Sequence, residues 1–237
     1  NRKYNSLFLE KFSRGVLLDA GAGHLHNRPL AMPYCEQYTS MDITPLVDDL
    51  DYVSDIQQMD DTPSGSYDTV LLTHVLEHVP RPDDALKECH RILSSQGILI
   101  GSCPHLSRLH GEPHDYQRFT KYGLAYLLGD VVEFNEWAVV PTGGVIAFLG
   151  HQLTTLFVCG TLTIPVIGDL LARFNHSVNL RLISFLDRWF GVQNEMACMY
   201  FFLATKDSFS PEQRSLLRQM RGVMLSSQLT DDTTDSS

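Results

Sequence analysis

Short apolar runs alternate with stretches of helical spacing along the first 130 residues. Lys3–Phe12 carries Leu7, Phe8 and Phe12 on one side and predicts a short helix. Residues 15–20 are apolar up to Asp19 and predict a first buried strand. Further strands are expected around Tyr38–Asp42, at Asp51–Ile56 and at Tyr67–Thr73, the last preceded by a Ser64-Gly65-Ser66 turn. Between about Pro82 and Leu93, Ala85, Leu86, Cys89, Ile92 and Leu93 recur at helical spacing. Ser94-Ser95-Gln96-Gly97 breaks that pattern, and Ile98–Gly101 predicts a fifth strand. Strand and helix alternating over short links predict an α/β fold, a Rossmann-like doubly wound sheet. In such sheets the loops at the carboxyl ends of the strands converge on the ligand.

Those loops carry chemistry. Asp19-Ala20-Gly21-Ala22-Gly23-His24 is a strand end running into a Gly-x-Gly turn, where the missing Cβ atoms let backbone approach a ligand. Asp42 follows Asp19 by 23 residues, at the end of the second strand. A carboxylate there suits both hydroxyls of a ribose. Nicotinamide enzymes and S-adenosylmethionine (SAM) methyltransferases share this spacing. Asp19 also admits a plainer role as a helix cap, and Asp68 reads as part of the turn before its strand.

The later segments separate the two. Ser54-Asp55-Ile56 is followed by Thr73-His74-Val75-Leu76-Glu77-His78-Val79, then His90-Arg91-Ile92-Leu93 and Gly97-Ile98-Leu99-Ile100. Over roughly residues 14–130 this order resembles the UbiE-like (methyltransferase type 11) branch of the class I SAM-dependent methyltransferases. The resemblance implies that Asp19, Gly21, Gly23 and His24 shape the pocket for the methionine end of SAM. Asp42, with Ile43 beside it, would take the ribose, Asp55 and Ile56 the adenine, and His74 would line the centre of the site. Glu77 and His78 read as helix-start and packing residues. Two departures stand out: His24 replaces the third glycine of the usual loop, and Ser95-Gln96-Gly97 replaces a Pro-Gly-Gly turn.

The acceptor side is expected in Pro104–Thr120, which is dense in ionisable groups. Its end, Pro113-His114-Asp115-Tyr116-Gln117-Arg118-Phe119-Thr120, looks like a segment common in bacterial members of this branch. Methyl transfer to a hydroxyl needs alignment and loss of a proton, and histidine suits that near neutral pH. The expected base is His114 oriented by Asp115, with His110 as the alternate; Asp115 could instead pair with Arg118 to shape the loop. His105, Tyr116, Arg118 and Phe148 are expected to line the acceptor pocket. The spacing His105…His110-x-Glu112-x-His114, with His24, His26 and His74, also invites a metal reading, but no tight ligand pair is present and no metal is assigned. Thr120 is the expected N-cap of a helix over Lys121–Leu128.

Beyond Glu136 no charged residue occurs until Asp169. An antiparallel hairpin is expected to close the sheet, Val131–Val140 against Met196–Thr205, with an apolar helical insertion over 141–192. The run is long enough for a bilayer span of about 20 residues. Its paired glycines, two prolines and five threonines, between strands of one sheet, favour a lid over the acceptor pocket. The other reading is peripheral membrane contact through 141–190, because Leu170, Leu171, Phe174, Val178, Leu182, Leu186 and Trp189 share one side of a helix. A last helix is expected over Pro211–Ser226, packed on the domain or on a second copy in a homodimer, ahead of an acidic, disordered tail at 228–237. The domain reading is thus a core over 1–140, the insertion, and a last strand and helix over 193–227.

A net charge of −10 leaves no basic excess for phosphates and excludes general nucleic-acid binding. Five scattered cysteines without a Cys-x-x-Cys pair, and no legible signal peptide, predict reduced thiols and a cytoplasmic, at most membrane-peripheral, location. The start at Asn1 reads as processed or trimmed. The leading expectation is methylation of an oxygen or nitrogen on a small, apolar or lipid-like acceptor. Non-methylating chemistry on the same fold (cyclisation or a metal-assisted step) and a non-catalytic cofactor-binding subunit are the alternatives.

Overall fold

β1 (Val16–Ala20) is buried over its last four residues and forms the centre of the sheet. It pairs in parallel with β2 (Gln37–Asp42) on one side and β4 (Tyr67–Thr73) on the other. The computed structural model describes residues 2–161, 186 and 196–226. Within them the sheet has eight strands in the order β3-β2-β1-β4-β5-β7-β6-β8, with β3 at Tyr52–Val53, β5 at Leu93–Pro104, β6 at Glu136–Thr142, β7 at Met199–Thr205 and β8 at Met224–Leu225. β3 to β5 run parallel, while β7, β6 and β8 are antiparallel additions. The chain order reverses between β1 and β4, so their carboxyl ends open the crevice in which such sheets take ligands.

Alternation along the strands divides the core in two. Leu18, Val70, Leu72, Leu99 and Phe202 face one layer, packed by α3 (Pro82–Ile92) and α4 (Lys121–Tyr126). Leu17, Leu71, Ile98, Ile100, Phe201 and Leu203 face the other, with Phe8, Leu9 and Phe12 of α1 (Arg2–Phe12). α3 buries Ala85, Leu86, Cys89 and Ile92, and its first turn carries Asp83 and Asp84 where the helix dipole favours negative charge. Thr120 caps α4 by accepting a hydrogen bond from Gly123 N.

Several boundaries differ from the sequence reading. β3 is two residues long rather than six, since Asp55 turns to bridge Gln58. The helix stops at Ile92, and Ser94–Gly97 lies within β5 as a bulge, with Tyr67 opposite Leu93 and Thr69 opposite Ile98. Ser94 Oγ donates to Asp68 Oδ1 at 2.9 Å, and the register shifts between Tyr67 and Thr69. Asp68 therefore belongs to β4, where it also accepts from Val16 N. The first hairpin strand begins at Glu136, not Val131, because α4 continues as a widened turn through Leu127–Val131 packed on Trp137. The helix at Pro211–Arg218 stops short of the expected Ser226. Gly222, at φ 70°, turns the chain so that Met224–Leu225 adds to β6.

Thr142 and Pro104 both pair with Met199, so β6 ends at the carboxyl edge of the parallel strands. α5 (Val145–Thr161) starts from that edge, with Leu149, Leu153 and Leu156 exposed. Among the described residues no helix is long and apolar enough to cross a membrane. The amphipathic stretch Leu170–Trp189, apart from Leu186, and the acidic tail lie outside the described residues.

Candidate active site at the carboxyl edge of the sheet

The glycine turn is fastened to β2. Gly21 N and Ala22 N both donate to Met41 O, at 2.8 and 2.9 Å. Gly21 takes φ 79°, and a Cβ there would lie 2.3 Å from Val75 Cγ2, so only glycine lets the turn close on the end of β4. Gly23 also has positive φ, at 52°, but nothing lies within 4 Å of the place of its Cβ, so it faces open space. His24 is exposed, with its ring 5.9 Å from that of His26. The left-handed residue that follows Gly23 is Leu25, at φ 58°.

Asp42 clasps this turn. Its Oδ2 accepts from Gly23 N at 2.9 Å and its Oδ1 from Thr44 N at 3.2 Å. Each carboxylate oxygen retains acceptor capacity for a ligand hydroxyl. Ile43 beside it is 64% exposed, a large apolar face turned outward at the strand end. Asp55 accepts from Gln57 N at 2.9 Å and from the Gln57 amide. Ile56 lies in the main core at 6% exposure, so the exposed apolar surface beside the acids is Ile43 rather than Ile56.

Asp19 is fully buried. Tyr38 Oη donates to it at 2.7 Å, while Asn27 Nδ2 approaches to 3.5 Å and donates to Thr73 Oγ1 at 2.8 Å. Burial pushes the Asp19 carboxyl up to about 6, against the pull of these donors. The same burial, with Asp19 beside it, raises the Tyr38 phenol. This network joins β1, β2 and β4 under the glycine turn. Asn27 and Tyr38 were not singled out in the sequence, since nothing in their spacing marks them.

The opposite wall is built on the end of β4. His74, at φ 56°, donates its backbone N–H to Ser102 O and leaves its side chain 40% exposed. Glu77 follows in a short turn and is fully buried. Its backbone carbonyl accepts from Tyr116 N and Gln117 N, docking the 105–119 loop. Its carboxylate oxygens are buried without a hydrogen-bond partner. Three imidazoles surround Oε1: His74 Nδ1 at 3.4 Å, His110 Nε2 at 3.6 Å and His78 Nε2 at 3.9 Å.

The loop itself is held by Arg118, which grips Asp115 with two parallel bonds of 2.6 and 2.7 Å and reaches Arg108 O and Gln117 O. Asp115 also accepts from His110 N, and this environment holds its carboxyl well below the usual range. Of the expected base pair, Asp115 is therefore committed to Arg118 and His110. His114 is exposed, with Nδ1 2.8 Å from Tyr116 Oη. His105 is docked on the β7 side, its N–H donating to Cys198 O and its ring 5.4 Å from Tyr200. Phe148 is half-buried on α5.

Residues 18–101 match the family model of a methyltransferase domain. Solved structures agree at the level of fold. A SAM-dependent methyltransferase from Archaeoglobus fulgidus aligns at TM-score 0.54 and 16% identity, over 86% of this chain and 94% of that one. The phosphoethanolamine N-methyltransferase 2 of Haemonchus contortus aligns at 0.56 and 14%, over 87% and 53%. The cyclase SpnF aligns at 0.55 and 14%, over 87% and 81%. None of the curated proteins matches the chain. The fold is the class I, Rossmann-like fold of SAM-dependent methyltransferases. The residues present fit that cofactor. The Gly23 turn faces open space, Asp42 has free acceptor capacity, and the buried Asp19 carboxyl lacks a cationic partner at hydrogen-bond distance among the described residues.

Proposed function

We propose that this chain transfers a methyl group from SAM to an oxygen or nitrogen of a small, apolar or lipid-like acceptor. The observation that carries the reading is the Asp42 clasp on the Gly21–Gly23 turn, set between exposed Ile43 and buried Asp19. Asp42 would hold the ribose hydroxyls, Ile43 and Asp55 the adenine, and Asp19 the ammonium end. When bound, SAM supplies an electrophilic methyl group on a sulfonium.

Everything else falls to the chain. Val75 packs on Gly21, so the adjoining His74 stands beside the cofactor turn. His74 takes the proton from the acceptor, with the Glu77 carboxylate 3.4 Å from its Nδ1 to stabilise the imidazolium. The Arg118–Asp115 pair fixes the loop that forms the acceptor's other wall. The apolar character of the acceptor is supported by α5, which presents Leu149, Leu153 and Leu156 from the same edge of the sheet.

The test is transfer of labelled methyl from SAM to a panel of apolar phenols, alcohols and amines, read as label extracted into organic solvent. Label moving to at least one apolar acceptor, with release of S-adenosylhomocysteine, supports the reading. SAM that binds but is never demethylated points instead to a non-methylating reaction on this fold.

A further inference from the structure

Glu77 is the one fully buried acidic side chain, among the described residues, for which the fold supplies no hydrogen-bond donor to either oxygen. A bare buried carboxylate is costly, and native structures retain such groups where a cation completes them. What the fold places around Glu77 is imidazole nitrogen. His78 Nε2 and His110 Nε2 stand 3.9 and 3.6 Å from Oε1, and the three ligand atoms all lie within 4.8 Å of one another.

The orientation of the two rings is set from behind. His78 Nδ1 lies 2.5 Å from the backbone carbonyl of His114, which can only accept, so Nδ1 carries the proton. His110 Nδ1 lies 3.2 Å from the Arg108 carbonyl and 3.6 Å from Asp115 Oδ2, two further acceptors, with Arg118 Nη2 also 3.5 Å away. The His78 ring is thereby held with Nε2 turned toward Glu77, and His110 presents its Nε2 to the same oxygen. This is the outer-shell arrangement that fixes metal-ligating histidines. Gly111 serves the same packing: a Cβ there would fall 2.7 Å from His78 Cε1, and the two rings meet edge to face at 4.9 Å.

Two imidazole nitrogens and a carboxylate oxygen thus converge on one point, the donor set of a divalent cation. We propose that Glu77 Oε1, His78 Nε2 and His110 Nε2 form a binding site for a divalent metal ion of the zinc type. A tetrahedral ion with ligands at about 2.0–2.2 Å sets them roughly 3.3–3.6 Å apart, within a small side-chain adjustment of the spacings found. Two histidines and one glutamate leave the fourth position open, as in catalytic zinc sites. The partial exposure of both histidines, 27% and 36% at the side chain, leaves that position within reach of solvent. A hydroxyl bound there would lose its proton more readily. That consequence rests on the methyltransferase reading; metal binding itself does not.

The experiment titrates cobalt(II) chloride into the metal-free full chain, followed by calorimetry and by the visible absorption of four-coordinate cobalt. The expected result is one ion per chain. H110A, H78A and E77Q should each weaken binding by more than the roughly 10–100-fold that loss of an outer-shell partner costs. H114A, which removes an exposed ring but keeps the carbonyl on His78, should retain the site. Because E77Q alters a fully buried side chain, H110A and H78A carry the test, with thermal melting and S-adenosylhomocysteine binding as folding controls. Absence of one-to-one binding in the wild type overturns the proposal, leaving only a proton to hold the cluster. Binding that survives in the folded H78A/H110A double variant overturns it as well. Cobalt binding without S-adenosylhomocysteine binding would sustain the metal site and break the methyltransferase reading, so the two fail separately.

Discussion

The two walls of the site satisfy their acids in opposite ways. On the cofactor wall, Asp42 and Asp55 accept backbone N–H groups two or more residues away, and the glycine turn is pinned to Met41. On the acceptor wall, Glu77 is enclosed with no donor, while the neighbouring Asp115 is saturated by Arg118 and His110 N. One wall has each of its acids hydrogen-bonded within the fold and keeps acceptor capacity for a ligand. The other holds an unbalanced charge among histidines, and reactivity belongs where charge is left unsettled.

The largest effects should separate the walls. R118A frees Asp115 and unfastens the 108–118 loop. It should cut turnover roughly 100-fold, as small misplacement of reacting groups does, while S-adenosylhomocysteine affinity stays within about threefold. D42A should do the reverse, weakening S-adenosylhomocysteine roughly 30- to 150-fold through loss of charge-assisted bonds worth about 2–3 kcal/mol. A common loss of affinity in both variants would erase the division. The base assignment is sharpened by H74A against H114A in single-turnover assays, where H74A should cost about 100-fold and H114A less than tenfold. The opposite order would return the role to His114.

A smaller effect follows from Asp19. Its carboxyl is raised to about 6 by burial, and a cationic ligand favours the ionised form. As pH falls below 6 a proton must leave before SAM binds, so affinity should drop by up to about tenfold per pH unit until the carboxyl of the complex itself takes up a proton. The ligand-free fold responds in the opposite sense. A raised folded value means the folded state binds the proton more tightly, so its stability rises as pH is lowered from above 6 toward about 4. D19N should flatten both dependences, and calorimetry between pH 5 and 8 reads the first of them. The smallest effect lies within the glycine turn. G23A should cost about 1 kcal/mol of stability in left-handed strain, whereas G21A adds a clash with Val75, so its melting temperature should fall further.

How much of this was legible in the chain also divides by wall. Asp19, Gly21, Gly23 and Asp42 sit at strand ends whose order is set by local pattern, so their convergence could be read from the sequence. Tyr38 and Asn27 escaped notice because their contacts with Asp19 depend on the lateral pairing of β1 and β2. Ile43 and Ile56 both follow an acid, and only the fold shows which of them is buried. On the acceptor wall the pairing of Asp115 with Arg118 was legible as the alternative to a pair with His114, while the surroundings of Glu77 were not. Asp115 is next to His114 in sequence, yet its carboxylate goes to Arg118, one helical turn's length further on, because the loop folds back over Glu77. Glu77 read as a packing residue, and its isolation becomes visible only once the 105–119 loop is docked on it.

The most direct test of the account is a calorimetric titration of S-adenosylhomocysteine into the full chain near pH 7.5. The account predicts saturable binding of one molecule per chain in the wild type, lost or strongly weakened in a folded D42A variant. Absence of binding in the wild type, or undiminished binding in D42A, would contradict it.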